Sequence, residues 1–343
     1  MTAAALAIRP RLRQNAGAAT TEDDMARNFA DWTPAGVIPA ALLPFDEDCG
    51  IDATAFRKHL LDLAGVRGVS AITINAHSTE VHACTFEEQR QVLDLAMEAV
   101  GERLPVVHGV YADGSHQAAR IARMAEAGGA SALLVFPPNS LAMGGQLRPE
   151  MAVAHFRMIA EASGLPIIVF EYPLAGGLGY PFDTLLEIFD KVPSVRAIKD
   201  WCADPMLHER HVRTFQSLPR RINVLSTHSA WLMSSLVLGC AGLLSGAGSV
   251  IADLQVELFE AVQRRDLAAA QAVNARIYPL AQAFYAPPFL DMHNRMKEAL
   301  VLLGRLKRAV VRPPLMKLPA DDIARIKAAL DAAGVTGVVD GAA

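Results

Sequence analysis

The segment Ser194-Val195-Arg196-Ala197-Ile198-Lys199-Asp200-Trp201 decides how the rest of the chain is read. It has the composition of a buried strand, with a lysine where the apolar run should stop. Side chains alternate along a strand, so Val195, Ala197 and Lys199 are expected on one face and Arg196 and Ile198 on the other. An amine at the end of an apolar face loses hydration, which disfavours the ammonium form and lowers its pKa. The neutral amine is a nucleophile able to form a Schiff base with a carbonyl compound. A lysine at a strand end is also a common surface residue. The position of this strand in the chain decides between the two.

Seven further apolar runs bounded by turn residues surround it, and the eight together cover residues 36–44, 69–76, 105–111, 131–138, 166–173, 195–200, 222–227 and 241–246. They recur about every 30 residues, the length of one strand-helix unit. Helical patterns fill the gaps, among them 86–100, 115–127, 149–162 and 184–191. Eight such alternations predict an α/β fold of the (β/α)8 TIM-barrel type, whose size of about 250 residues leaves room for extra elements. A doubly wound open sheet is the competing architecture and usually has fewer strands. Only helical patterns follow, at 254–264, 267–283, 292–303 and 321–333, bounded to within a few residues by Pro287, Pro288, Pro313 and Pro314. The expected organisation is an N-terminal extension (1–34), the barrel (35–250) and additional C-terminal helices packed on it (251–335).

Composition narrows the function classes. Of 343 residues, 52% are hydrophobic and 20% charged, which supports a large core and excludes a disordered chain. A formal charge of -4 argues against nucleic-acid binding. Cys49, Cys84, Cys202 and Cys240 show no C-x-x-C spacing, so neither a zinc ribbon nor a disulfide framework is expected, and reduced thiols in a cytoplasmic protein are the simpler reading. Arg9, Arg11 and Arg13 leave organelle targeting open, but Glu22, Asp23 and Asp24 weaken it, and there is no apolar core suited to secretion. No run has the roughly 18 apolar residues of a membrane span.

TIM barrels place their chemistry at the C-terminal ends of the strands. Those ends carry Leu43-Pro44-Phe45, Asn75-Ala76-His77-Ser78-Thr79-Glu80, Phe136-Pro137-Pro138-Asn139, Phe170-Glu171-Tyr172-Pro173, Lys199 and the stretch from Gly242 to Ser249. The hydroxyls and backbone donors of 75–80 suit a carboxylate. Taken in order, these motifs resemble the dihydrodipicolinate synthase and N-acetylneuraminate lyase superfamily of class I pyruvate-dependent aldolases, over about residues 36–320. Residues 76–80 resemble its G-T/S-T-G-E turn, and Thr85-Phe86-Glu87-Glu88-Gln89 the helix start after it. Residues 170–173 stand where its Y-N-x-P does, Ile198-Lys199-Asp200 where its I-K-E/D does, and Val311-Arg312-Pro313-Pro314-Leu315 where its R-x-P-L does. The resemblance implies that Lys199 is the Schiff-base lysine, that Ser78 and Thr79 hold the substrate carboxylate, and that the main chain at Leu244 lines the pocket. It also implies a homodimer or homotetramer. The imine chemistry itself needs no metal and no organic cofactor.

Departures from the family pattern fall at the proton-transfer positions. Phe170 replaces the family's tyrosine, His77 its turn hydroxyl, and Asn139 the tyrosine lent across a subunit interface. Tyr172, two residues further along the face of Phe170, is positioned to supply a phenol. His77, with an ordinary pKa near 6.5, either shuttles protons or only hydrogen-bonds in a rebuilt pocket. Leu174-Ala175-Gly176-Gly177 lacks the arginine with which dihydrodipicolinate synthases grip a second carboxylate, so lysine biosynthesis is not expected. His208 and His211 read as one solvated helix face with no third metal ligand, and Glu171 and Asp200 as structural neighbours of the site. Gly246-Ala247-Gly248 faces either a phosphate or the keto acid. The leading expectation is a Schiff-base lyase acting on pyruvate or another 2-oxo acid, with or without an aldehyde as second substrate. The alternatives are an imine-dependent dehydratase or hydratase-aldolase on a deoxy sugar acid or aromatic oxo acid, favoured by the apolar Phe136, Phe170 and Leu174, and a non-catalytic 2-oxo acid binding protein.

Overall fold

The computed structural model describes residue 29 and residues 32–336. The eight apolar runs each contain one strand: β1 (Gly36–Pro39), β2 (Ile72–Ile74), β3 (Val106–Val110), β4 (Ala132–Val135), β5 (Ile167–Glu171), β6 (Val195–Asp200), β7 (Asn223–Ser226) and β8 (Gly242–Ser245). All pair in parallel, in the order β1-β8-β7-β6-β5-β4-β3-β2. Parallel bridges between Val37 and Val69 and between Ala40 and Thr73 bring β1 against β2, which closes the barrel. Each strand is followed by a helix: α1 (Ala53–Gly65), α2 (Phe86–Val100), α3 (Ser115–Ala127), α4 (Pro149–Ala162), α5 (Phe182–Lys191), α6 (Pro205–Phe215), α7 (Leu232–Val237) and α8 (Gly248–Gln263). Three more helices follow, α9 (Leu267–Phe284), α10 (Met292–Leu302) and α11 (Ala320–Ala333).

The helix limits have local causes. Asp52 caps α1 through the amide of Ala55, Thr85 and Glu88 form a reciprocal capping box on α2, and Asp204 accepts from the amides of Met206 and Leu207 at the start of α6. One boundary differs from the sequence expectation. The eighth helix begins at Gly248 and not at 254, with non-helical φ/ψ at Ile251 that breaks the periodicity a pattern search relies on. The limit expected at 250/251 therefore falls inside a barrel helix, and the barrel runs to Gln263. Most of the expected N-terminal extension lies outside the described residues.

Two cores follow from the strand alternation. Between barrel and helices pack Val37, Ile72, Ile74, Leu133, Val169 and Ile198, while Ile38, Leu134, Ile168, Ala197, Leu225 and Leu244 fill the inside. Gly109 is required here: a Cβ at that position would stand 1.9 Å from the carbonyl oxygen of Asn75 on the neighbouring strand. The alternation expected along β6 holds only from Ala197 onward. Ile167 pairs with Val195 but Ile168 with Ala197, so Arg196 is an extra residue in the ladder and Val195 joins the outer core. Beyond this bulge Ala197 and Lys199 point inward and Ile198 and Asp200 outward.

Candidate active site

Lys199 sits beside Phe170 in the β5-β6 register, 6% exposed, with its Nζ 3.8 Å from the centre of the Phe170 ring. It opens into a cavity of about 180 Å³ at the C-terminal end of the barrel. Residues two positions past the inward-facing members of three strands reach this cavity: Trp201 after Lys199, Thr227 after Leu225 and Gly246 after Leu244. A larger hollow of about 650 Å³, lined by Thr33, Ala35, Arg196 and Asn223, lies at the opposite, N-terminal end of the barrel, away from the lysine.

Burial without an ionic partner brings the Lys199 ammonium down from 10.5 to about 7. Across the cavity stands His77, at the start of a short 3-10 turn (His77–Thr79) after β2. Its Nε2 is 3.0 Å from the phenol oxygen of Tyr172. Burial, and after it the nearby lysine, push the His77 imidazole down to about 3, so it is neutral at physiological pH and shares one hydrogen bond with the tyrosine hydroxyl. Tyr172 is pushed up, first by burial and then by Tyr111, and stays protonated. The ring of Tyr172 lies 4.6 Å from that of Phe170 and 5.3 Å from that of Trp201, while the His77 ring stands 4.9 Å from that of Phe136.

Ser78 lines the cavity, 1% exposed, and its hydroxyl has no partner among the described residues. Thr79 is placed differently from expectation. Its hydroxyl and its amide both donate to the carbonyl of Ala76, at 2.8 and 3.1 Å, so it closes the turn and does not face the cavity. Leu244 lies deeper, inside the barrel core, and the wall from β8 is Gly246. Asn139 is exposed, gives its amide to Asp113 at 2.7 Å and its side-chain nitrogen to the Tyr111 hydroxyl at 3.0 Å, and does not line the cavity. Leu174, expected in the apolar wall, is 36% exposed on an outer turn. Phe136 contributes only as the floor beneath His77.

The turn that carries His77 and Ser78 is anchored from the C-terminal helices. Glu80, in the left-handed region at φ 52°, pairs with the fully buried Lys297 of α10 and accepts the amide of Arg312 at 2.9 Å. The Arg312 guanidinium grips Glu88 through two nitrogens, at 2.6 and 2.8 Å, and reaches the carbonyls of Ala83 and Cys49. The same helices complete the cavity with Tyr285, Phe289, Met292 and His293. Sequence reasoning missed these four because they come from another layer of the fold and no strand alternation marks them. His228 and Trp231, from the loop after β7, were missed likewise, whereas the parity of Trp201 with Lys199 could have revealed it.

On the outer face of β6 the expectation for the two helix histidines is reversed. His208 and His211 are buried, and both direct Nδ1 at the same oxygen of Asp200, each at 2.8 Å. Burial alone would raise the Asp200 carboxyl, but these hydrogen bonds outweigh it and hold the group well below its ordinary range. Glu171, its neighbour on β5, is pushed well above its ordinary range by burial and then by Asp200, although the Tyr180 amide donates to it.

A closed parallel eight-stranded barrel with helices between its strands and a desolvated lysine at the mouth of the sixth defines the class, a (β/α)8 barrel. Residues 33–333 match the dihydrodipicolinate synthetase family, and the chain belongs to that family. It is 28% identical over 288 residues to a 4-hydroxy-tetrahydrodipicolinate synthase of Methanoculleus marisnigri, covering 82% of this chain and 94% of that one. It is 29% identical to an uncharacterized DapA-like lyase of Halobacterium salinarum, covering 86% and 92%. Among solved structures, YagE from E. coli K12, a prophage protein of the dihydrodipicolinic acid synthase family in complex with pyruvate, superposes with a TM-score of 0.81 at 22% identity, over 88% of this chain and 99% of that one. Dihydrodipicolinate synthase of Aquifex aeolicus does so with 0.78 at 22%, over 88% and 99%. Among the described residues no helix is long and apolar enough to cross a membrane.

Proposed function

We propose that the chain is a Schiff-base lyase acting on pyruvate or a similarly small 2-oxo acid. The observation that carries this reading is a buried amine brought to about 7 at the wall of a cavity that also presents a buried hydroxyl, Ser78, without a partner among the described residues. The substrate carboxylate accepts from Ser78. The neutral Lys199 attacks the keto carbon to give a carbinolamine, water leaves, and the iminium draws electrons so that a proton is lost from the adjacent carbon. The resulting enamine adds to an aldehyde, or the reverse sequence cleaves a carbon-carbon bond. Tyr172 and His77 move the protons: the phenol oxygen takes up the proton lost from the substrate as the phenol's own hydrogen passes to the neutral imidazole. This division of labour replaces the single tyrosine at the position of Phe170 and requires no cofactor and no catalytic metal. The cavity, smaller than the about 300–1,000 Å³ typical of sites for drug-sized ligands, suits a three- or four-carbon acid.

The second substrate is read from the rim. Trp201 and Phe289 stack with ring centres 5.1 Å apart, and Trp231 and Met292 stand beside them. No arginine occurs in residues 174–177, so an apolar or aromatic aldehyde fits better than the dicarboxylate chemistry of lysine biosynthesis. This rim favours the hydratase-aldolase alternative as the second reading. Self-association is proposed at the loop that holds Asn139, where Met143 and Leu147 are 89% and 84% exposed. Borohydride reduction in the presence of pyruvate, followed by peptide mapping, tests the reading. A reduced adduct on Lys199 is expected, and an unmodified lysine contradicts it. Imine formation without product across a broad aldehyde screen would favour a binding protein.

A further inference from the structure

Behind the cavity wall, four donors of mixed chemistry converge from four segments: Asp200 at the end of β6, Cys202 in the loop after it, His208 on α6 and His228 after β7. Their ligand atoms all lie within 4.8 Å of one another, and the residues are 0%, 4%, 0% and 3% exposed. Asp200 has no lysine or arginine within salt-bridge distance among the described residues, only the two histidine rings and the amide of Cys202 at 2.9 Å. Buried charges in proteins are paired or coordinate metals. The Cys202 sulfur is 3.8 Å from His228 Nε2, an edge that fits neighbouring ligands around one ion.

We propose that Asp200, Cys202, His208 and His228 form a binding site for a divalent transition-metal ion of the Zn²⁺ class. Four nitrogen, sulfur and oxygen donors match the coordination number and ligand type of structural zinc sites, whereas Mg²⁺ and Ca²⁺ take oxygen donors. His211, whose Nδ1 meets the same carboxylate and whose Nε2 has no partner among the described residues, supports Asp200 from outside the ligand set. Binding displaces the Cys202 thiol proton to solvent, and thiolate and carboxylate together neutralise the ion. His228 gives up the hydrogen bond it accepts from the Ala203 amide at 3.1 Å, and the ligating nitrogen of His208 gives up its present partner, the Asp200 carboxylate at Nδ1 (2.8 Å) or the Cys240 thiol at Nε2 (3.3 Å). With all four positions filled by protein the ion has no open site for substrate. It acts as a brace that ties the strand bearing Lys199 to the loop carrying His228, a residue of the cavity wall.

The test is titration of the chelator-treated full-length chain with Co²⁺, followed by Zn²⁺. Saturable uptake of about one Co²⁺ per chain is expected, with a thiolate-to-cobalt charge-transfer band that Zn²⁺ abolishes. The nearly isosteric Cys202→Ser should lose the band and bind at least ~10-fold more weakly, while Cys49→Ser should change neither. His228→Gln should weaken uptake comparably yet keep the band. Absence of saturable uptake by the wild-type chain overturns the proposal whatever the variants do, and so does a band that survives Cys202→Ser.

Discussion

Lys199 and Asp200 are adjacent in sequence, both buried, and opposite in electrostatic fate. On the inner face of β6 the amine has only an aromatic ring beside it and is driven toward neutrality. On the outer face the carboxylate collects donors from His208, His211 and the Cys202 amide and stays ionised. Burial opposes charge in both, so the partners supplied by each face decide the outcome. A strand thus carries an amine with a lowered pKa and a fixed anion side by side, because alternation sends them into different environments.

Removing the inner amine is the strongest way to break this contrast. Lys199→Met should reduce turnover by at least about 10⁴-fold, since the covalent step is lost. The same change should stabilise the fold. Between pH 7 and 10.5 the unfolded chain holds a proton that the folded chain has released, so native stability rises with pH across that window and the penalty is fully present below it. The substitution should therefore gain about 2–4 kcal/mol at pH 6 in urea unfolding, and little above pH 10.5. A variant no more stable than wild type at pH 6 would show that the amine is not desolvated.

Glu80 offers a third environment, a buried carboxylate paired with a buried lysine. Glu80→Gln leaves Lys297 uncompensated and should cost about 3–5 kcal/mol of stability, read by the same unfolding experiment. Its turn carries Ser78, so KM for the 2-oxo acid should rise as well. Tyr172→Phe and His77→Ala should each lower kcat by about 10²–10⁴-fold while leaving the borohydride adduct detectable. An unchanged kcat in His77→Ala would remove the histidine from the relay and leave it a packing role. The smallest effect is expected from Phe170→Leu. Loss of the ring over Nζ removes about 0.5–1 kcal/mol of support for the ammonium, shifting the midpoint of the pH-rate profile down by about half a pH unit.

How far the sequence could be read depended on whether one strand or several layers set a feature. Strand number, order of alternation and the inward lysine followed from local patterning, and the helix limits at 86–100, 115–127 and 149–162 coincide with those observed. Parity also led from Phe170 to Tyr172. It failed at Val195 because a bulge adds a residue without leaving a mark in composition. It could not show that Thr79 spends its hydroxyl on its own turn, nor that His208 and His211 are covered, since a helix of polar residues looks solvated until its neighbours are placed. The ordinary pKa of His77 was likewise a poor guide, because the rings around it, Tyr111, Phe136, Phe170 and Tyr172, come from the ends of three other strands.

The pH dependence of borohydride trapping at Lys199, measured at saturating pyruvate, bears most directly on the neutral inner amine. The rate of adduct formation should rise through a midpoint near pH 7, in line with the value of the buried group. A midpoint near 10, the ordinary range of a solvated lysine, would contradict it.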